Sequence, residues 1–238
     1  GAPPKVWEPI AKHAIYVGFD PDLRELSDVP DEQFARSIIV NEAVKSEVNQ
    51  DKVNFYLTHS PFCSSTLPPN TESLANYIFS DLFVVERKIS VSASTLSEVL
   101  NRLGLPGIDW FKTDSQGTDL RLFQSLPDEL RSLVLAVDIE PGLFDAYQGE
   151  DIFTDAHREI TSQGFWLSNL KVCGTARMRR STLTELAPAA IELVEQHQRI
   201  SPAWCEARYF RTIDWLNDHS MPAYRYRLLW VFAIVDKQ

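Results

Sequence analysis

Residues 108–119, with the sequence IDWFKTDSQGTD, decide how the chain folds. The apolar start of this stretch predicts a short strand, which the polar residues 115–117 end before a helix over 118–126. Upstream, residues 86–94 alternate as a half-buried strand does, and Thr95 caps a helix that ends at Gly104. Downstream, the apolar strand 133–139 precedes a helix over 153–163 and a strand over 165–172. This alternation predicts an α/β domain with a mainly parallel sheet.

The two ends of the chain extend this pattern differently. Three short runs rich in β-branched and aromatic residues predict strands over 13–19, 37–40 and 52–59. Beyond residue 181 the spacing of apolar residues predicts helices, with a stripe formed by Cys205, Tyr209, Ile213 and Leu216. We therefore divide the chain into a main domain, residues 1–174, and a helical C-terminal extension, residues 175–238.

Composition and charge exclude several functions. With 44% hydrophobic and 24% charged residues among 238, the chain has the balance of an ordinary folded domain. Its net charge of −10 disfavours binding to nucleic acid or to an anionic membrane surface. The longest apolar run, residues 228–235, is too short to span a bilayer. The three cysteines form no disulfide framework, so we expect a reduced, cytoplasmic protein. No feature of the sequence indicates an oligomeric state.

Polar residues that follow the predicted strands are the first candidates for a site, because ligands bind at the carboxyl ends of parallel strands. Asp20 follows the strand that ends at Phe19, where a carboxylate suits the hydroxyls of a ribose. An ordinary Asp-Pro turn is the alternative at this position. Asn41 and Glu42 follow the next strand, and an exposed turn is the alternative there.

The pair Lys112 and Asp114 is the more informative candidate. The two residues are two positions apart at the end of an apolar strand, so both side chains lie on one face. An internal ion pair between them is the alternative to a catalytic role. His59 and Cys63 share a loop, but two potential ligands do not make a metal site. The run Arg177, Arg179 and Arg180 is interpreted as a solvated face.

Several segments, taken in order, resemble the FkbM-type methyltransferases. The resemblance covers roughly residues 1–172, and IDWFKTDSQGTD carries most of it because it is similar to the family pattern D-x-x-K-x-D-x-Q/E-G-x-E. Asp119 stands where that pattern has glutamate. The supporting segments are GFDPD at 18–22, NEAV at 41–44, SSTL at 64–67, TLSEVL at 95–100, DIE at 138–140 and YQG at 147–149.

The resemblance implies a Rossmann-like class I methyltransferase sheet with flanking helices, which binds S-adenosyl-L-methionine across its strand ends. By this likeness Asp20, with Gly18 beside it, would hold the ribose of the donor. Glu42 and Ala43 would lie near the adenine, and Gly1 and Ala2 would at best be the last residues of the glycine-rich donor loop. The first strand and most of that loop are expected to precede this chain.

The same resemblance assigns the reacting end of the site. Asp114, with Lys112, would position or deprotonate an acceptor hydroxyl beside the transferred methyl group. Gln116 and His59 are the candidates for binding the acceptor, although a solvent-facing histidine is an alternative for His59. Because the family acts mostly on hydroxyls of sugars and natural products, the expected reaction is O-methylation of a small-molecule or carbohydrate acceptor.

Two other functions stay open from the sequence. Asp20 and Asp22 also fit the D-x-D motif of a metal-dependent glycosyltransferase that uses a nucleotide sugar. The second alternative is a degenerate, non-catalytic domain whose arginine-bearing tail contacts a partner.

Overall fold

The strands form where short apolar runs end in turns, as the sequence predicts. A computed structural model describes residues 5–21, 33–197 and 200–238 of the chain. Its strands are β1 (Ile15–Phe19), β2 (Arg36–Val40), β3 (Ala43–Val44), β4 (Lys52–Thr58), β5 (Val85–Ser94), β6 (Trp110–Lys112), β7 (Ala136–Ile139), β8 (Phe165–Thr175) and β9 (Ser201–Arg211).

The helices surround these strands and confirm a mixed α/β fold. They are α1 (Thr71–Leu74), α2 (Leu96–Leu103), α3 (Asp119–Gln124), α4 (Asp128–Arg131), α5 (Phe153–Ser162), α6 (Arg180–Thr184), α7 (Pro188–His197), α8 (Ile213–Asp218) and α9 (Ala223–Val235). Helix α2 begins as predicted, because Thr95 and Glu98 form a reciprocal capping box. It ends at Gly104, whose φ of 66° is the left-handed conformation that glycine adopts at no steric cost.

The largest sheet has the strand order β6-β7-β9-β8. Strands β6 and β7 are parallel, and the register pairs Lys112 with Asp138 at their carboxyl ends. Strand β9 is antiparallel to both of its neighbours. A smaller parallel pair joins β1 to β2, and a third sheet has the order β3-β5-β4. The expectation of a mainly parallel arrangement is therefore wrong for the largest sheet, in which two of the three pairings are antiparallel.

The prediction of helix throughout the C-terminal extension is wrong for residues 201–211. These residues form β9, with Ala203, Cys205, Ala207 and Tyr209 all buried. Cys205 and Tyr209 are four apart, a spacing that satisfies the period of a helix and also the period of a strand. The remaining two residues of the predicted stripe belong to α8, after the strand has ended. The extension does contain α6, α7, α8 and α9, and a domain division at Gly174 stays a prediction.

Strands β1 and β6 are among the edge strands of the described part of the chain, as are β2, β3, β4 and β8. There β1 pairs with β2 alone, and β6 pairs with β7 alone. The indole of Trp7 lies against both, with ring centroids 6.3 Å from Tyr16 on β1 and 5.8 Å from Trp110 on β6. The indole N–H groups of Trp7 and Trp110 are buried and have no hydrogen-bond partner among the described residues.

The main core packs α3 and α5 against the largest sheet, around Phe123, Val137, Ile160 and Tyr209. Burying large apolar side chains of this kind is the dominant favourable term in folding. None of the helices within residues 5–21, 33–197 and 200–238 combines the length and the apolar character needed to cross a membrane.

Candidate functional site at the ends of strands β6 and β7

The site is built around the buried carboxylate of Asp119, at the start of α3. Its Oδ1 accepts hydrogen bonds from the Thr113 hydroxyl at 3.0 Å and from the Ser115 backbone N–H at 2.9 Å. Its Oδ2 accepts the backbone N–H of Glu140 at 2.9 Å. Burial raises the pKa of Asp119, although the donors from Ser115 and Glu140 oppose that shift. One carboxylate thereby fixes the loop after β6 against the end of β7.

The side chain of Gln116 joins this loop to two other segments. Its Nε2 donates to Asp114 Oδ1 at 2.6 Å, and its Oε1 accepts the Tyr147 hydroxyl at 3.0 Å. Its backbone carbonyl accepts the Ser65 hydroxyl at 2.6 Å. The Tyr147 hydroxyl also lies 2.9 Å from the carbonyl of Cys63. The serine-bearing loop, the loop after β6 and the Tyr147 segment therefore meet at Gln116.

The segment that carries Tyr147 is held in turn by Glu150. The Glu150 carboxylate accepts backbone N–H groups from Gly142 at 3.1 Å, Ala146 at 2.7 Å and Tyr147 at 3.0 Å. Burial raises its pKa to about 7, against the opposing effect of these three donors. Gly117 packs against this segment with a φ of 105°, and a Cβ there would lie 3.3 Å from both Glu150 and Tyr147.

The predicted catalytic residues lie at the exposed rim of this network. Lys112 and Asp114 are both exposed, and no ion pair joins them in the described part of the chain. The buried ion pair that was the structural alternative is therefore absent there. The partner of Asp114 is Gln116, so the structure brings together two of the residues that the sequence singled out.

Glu140 comes directly after β7 and lies beside this rim. Burial and the charge of Asp114 raise the pKa of Glu140 to about 7, whereas Lys112 opposes the shift. Asp138, two residues earlier, is held by Arg208 of β9 through two hydrogen bonds of 2.7 and 2.8 Å. Arg208 bonds Asp236 as well, near the C-terminus.

The candidate donor-binding residues lie at the ends of β1 and β2. The Asp20 backbone N–H donates to the carbonyl of Val40, and its own carbonyl accepts the Asn41 side-chain amide at 2.8 Å. Gly18 leaves room on β1 for two neighbouring side chains, since a Cβ there would lie 2.8 Å from the Tyr16 hydroxyl oxygen and 3.1 Å from Ile39. Gly1 and Asp22 lie outside the described residues.

The side chain of Glu42 is engaged in an ion pair that the sequence did not indicate. Both its oxygens accept from Arg102 of α2 at 3.1 Å, and this hydrogen bonding holds the pKa of Glu42 below its usual range. Ala43 is buried in β3, paired with Ala93 of β5. These two residues connect β2 to the third sheet.

His59 lies on the exposed surface of the β4–β5 pair. Its Nδ1 is 3.1 Å from Glu86, and two thirds of its side chain is exposed. The structure thus pairs His59 with Glu86 rather than with Gln116, the other predicted acceptor-binding residue. Arg180 pairs with Asp81 at 2.7 Å, and Arg179 donates to Asn76 at 3.3 Å, so the arginine run contacts its own chain.

Four site residues were missed as functional candidates from the sequence: Ser65, Asp119, Glu140 and Tyr147. Glu140 had a usable signal, because a carboxylate directly after the most apolar strand lies where ligands bind in parallel sheets. Asp119 and Tyr147 stand in segments that resemble the family pattern, but their bonds to Glu140 and Gln116, 21 and 31 residues away, gave no signal of a role. Among residues 5–21, 33–197 and 200–238, no group of three His, Cys, Asp or Glu side chains is placed to hold a metal ion.

The chain has a mixed α/β fold with polar side chains at the carboxyl ends of parallel strands, the position at which ligands bind in such sheets. The family comparison makes the class of protein specific. The family model described as "Methyltransferase FkbM domain" matches residues 7–174, which is more than half of the chain. The chain belongs to the FkbM methyltransferase family, and it is a methyltransferase. Neither the curated proteins nor the solved structures contain a match to this chain.

Proposed function

We propose that the protein is an S-adenosyl-L-methionine-dependent O-methyltransferase that acts on a hydroxyl group of a carbohydrate or another small molecule. The observation that carries the proposal is the meeting of Asp114, Gln116 and Glu140 at the carboxyl ends of β6 and β7. An amide and two carboxylates suit the recognition of a hydroxyl, since they offer both a donor and acceptors. Membership of the FkbM methyltransferase family indicates that the transferred group is a methyl group.

The same proposal includes a Rossmann-like arrangement of the sheets. Two observations support it: the parallel pairs β1–β2 and β6–β7, and the unpartnered edges of β1 and β6 within the described residues. A parallel strand between these edges would join both pairs into one sheet. The unsatisfied indole N–H groups of Trp7 and Trp110 lie beside that position.

The chemistry requires alignment more than covalent participation of the protein. The acceptor oxygen attacks the methyl carbon in line with the departing sulfur, so holding the two molecules in register lowers the barrier. In the proposed site Asp20 binds the ribose of the donor, and Asp114 positions the acceptor. The role expected for Glu42 is changed, because its carboxylate is hydrogen-bonded to Arg102. In the proposed site the backbone of residues 42–43, rather than the Glu42 side chain, lies near the adenine.

Calorimetric titration of S-adenosylhomocysteine tests the donor. It is performed on the 238-residue chain and, in parallel, on the longest product that its gene encodes. Micromolar binding by either form supports the proposal, and binding by the longer form alone indicates that upstream residues complete the donor site. Absence of binding to both refutes dependence on this donor.

Two variants separate the donor and acceptor ends of the site. We expect Asp20→Ala to weaken S-adenosylhomocysteine binding, whereas Asp114→Ala leaves binding unchanged and slows methyl transfer. Asp145→Ala, at an exposed aspartate outside the site, is the matched control. Equal donor affinity in the wild type and in Asp20→Ala would remove Asp20 from the site.

Family membership favours methyl transfer over the glycosyltransferase alternative, and a divalent-metal dependence of ligand binding would reverse that preference. A cytoplasmic, reducing location belongs to the same proposal. It is supported by Cys63, Cys173 and Cys205, all of which are free thiols.

A further inference from the structure

The strand register places Glu140 next to Asp114 at the carboxyl edge of the largest sheet. Lys112 pairs with Asp138 in the parallel β6–β7 ladder, and the Thr113 N–H continues that ladder with a 2.9 Å bond to the Asp138 carbonyl. Asp114 and Glu140 each lie two residues beyond this register pair. The side chains of Asp114 and Glu140 therefore lie next to each other at the carboxyl end of the sheet.

The backbone of Glu140 is fixed, whereas its side chain is not committed to a hydrogen bond. The N–H of Glu140 donates to buried Asp119 at 2.9 Å, which sets where the side chain begins. Neighbouring carboxylates are occupied: Asp114 by Gln116 and Asp138 by Arg208. In the described part of the chain, the carboxylate of Glu140 accepts no hydrogen bond. Both of its oxygens are therefore open to a ligand, whereas Asp114 has one oxygen engaged by Gln116.

Titratable groups on β6 and its loop, α3, β8 and β9 interact electrostatically with Glu140, and they include the buried thiol of Cys205. Asp114 and Lys112 face it from β6 and its loop, Asp119 from α3, and Glu206 from β9. Lys171 and Cys173 of β8 also lie within electrostatic range. The ammonium of Lys171 is paired with Glu206 at 2.6 Å, so it partly neutralises the negative charge on that side.

This environment suits proton transfer at neutral pH. Burial and Asp114 raise the pKa of Glu140 to about 7, the range in which a carboxylate is both available as a base and able to hold a proton. Unlike Glu140, Asp114 has one carboxylate oxygen that already accepts a hydrogen bond, from the Gln116 amide at 2.6 Å.

We propose that Glu140 is the general base of the methyl transfer, and that Asp114 with Gln116 orients the acceptor hydroxyl. This inference rests on the proposed function. As the acceptor oxygen forms its bond to the methyl carbon, the carbon–sulfur bond breaks and its electron pair stays on sulfur. The sulfonium of the donor becomes a neutral thioether, and the hydroxyl proton passes to the Glu140 carboxylate, which later releases it to water.

The test compares Glu140→Gln with Asp114→Asn and with the control Glu206→Gln. The Gln side chain keeps the size of Glu140, and the backbone bond to Asp119 is unaffected, so the fold and the donor site are retained. Each variant is titrated with S-adenosylhomocysteine. Each is then assayed over pH 5.5–9 with methyl-labelled S-adenosylmethionine, using UDP-glucose, methyl glucoside, a nucleoside and a phenol as acceptor probes.

We expect Glu140→Gln to bind S-adenosylhomocysteine within about twofold of the wild type and to lose roughly 100-fold in kcat, as removal of a general base does. The fall in kcat of the wild type below pH 7 should be absent from this variant. Asp114→Asn should keep that fall but move it to lower pH, because the charge of Asp114 also raises the pKa of Glu140, and it should raise KM and slow methyl transfer less than Glu140→Gln does. Glu206→Gln should keep full activity, with the fall moved to lower pH because one negative charge facing Glu140 is gone.

Three results would overturn the base assignment. They are a Glu140→Gln variant with nearly normal kcat, loss of the acidic fall in Asp114→Asn instead, and loss of donor binding in Glu140→Gln. Failure of the wild type to bind S-adenosylhomocysteine, or to methylate any of the hydroxyl probes after binding it, refutes the proposed function itself. That failure is visible before any variant is compared.

Discussion

Replacing Asp119 by Asn exchanges one of two buried acceptor oxygens for an amide that only donates. The remaining oxygen can still accept from Thr113 and Ser115, which places the new amide against the backbone N–H of Glu140. Two donors then face each other in a position that is 1% exposed, so water cannot satisfy the orphaned N–H. The end of β7 and the loop after β6 lose their common anchor.

The expected cost follows from these contacts. A buried hydrogen bond to a charged group contributes about 1.5–3 kcal/mol, and an unsatisfied buried donor costs about 1–3 kcal/mol. Removal of a carboxylate whose pKa is raised by burial recovers part of this loss, because the charge no longer has to be desolvated. We expect a net decrease of about 2 kcal/mol in the free energy of unfolding, since the two effects oppose each other.

Thermal and urea unfolding of the wild type and of Asp119→Asn measure this difference at pH 7. For a chain of this length about 2 kcal/mol corresponds to a decrease of roughly 4–8 °C in Tm. Asp145→Asn is the matched control, since Asp145 is exposed, and its Tm should stay within about 1 °C of the wild type. An Asp119→Asn variant as stable as this control would show that Asp119 does not anchor the loop.

Three further predictions concern the segment around Tyr147. Tyr147→Phe removes the hydroxyl that bonds Gln116, and it should lower the free energy of unfolding by about 1 kcal/mol in urea titrations, with no loss if the bond is dispensable. Gly117→Ala should destabilise the protein more than Gly149→Ala in thermal unfolding, because both glycines have positive φ but only Gly117 has close neighbours; equal costs would contradict this packing. Glu150 has a folded pKa of about 7, above its ordinary 4.5, so its contribution of up to about 3 kcal/mol is present below pH 4.5 and is lost as the pH rises through 7. Unfolding free energies at pH 5, 6.5 and 8 should therefore fall with pH in the wild type and fall less in Glu150→Gln, and identical slopes would exclude the assignment.

The local signals in the sequence predicted most of the longer elements from β1 to β8 closely, but they missed the short elements β3, α1 and α4. Helix α2 is the clearest case, because both of its ends are set by residues within the helix or next to it. The strand β7 was also predictable, since a run of apolar residues of that length is typical of a strand buried on both faces. These features depend on neighbours in the sequence, which is why one sequence was enough to find them.

The site could be predicted only at the strand ends. Asp114 was singled out because it follows a strand, whereas Asp119 entered only as a member of the family pattern and without a role. Its function depends on the position of the Glu140 N–H, which only the packing of α3 against β7 determines. The ion pair between Glu42 and Arg102 spans 60 residues and likewise has no local signature. A pattern of residues thus indicates candidate positions at strand ends, but it does not reveal which of those side chains are already hydrogen-bonded to distant residues.

The C-terminal extension lies beyond the matched family region, yet it supports the strand that carries Glu140. Residues 207–210 of strand β9 pair with all four residues of β7, and β9 supplies Arg208 to the largely buried Asp138. An uncompensated buried charge costs about 3–5 kcal/mol, so Asp138 and Arg208 each need the other. Arg208 also bonds Asp236, which ties the end of α9 to the same strand. Asp138 is two residues before Glu140. By holding Asp138 and pairing with β7, the extension therefore fixes the position at which the Glu140 side chain begins.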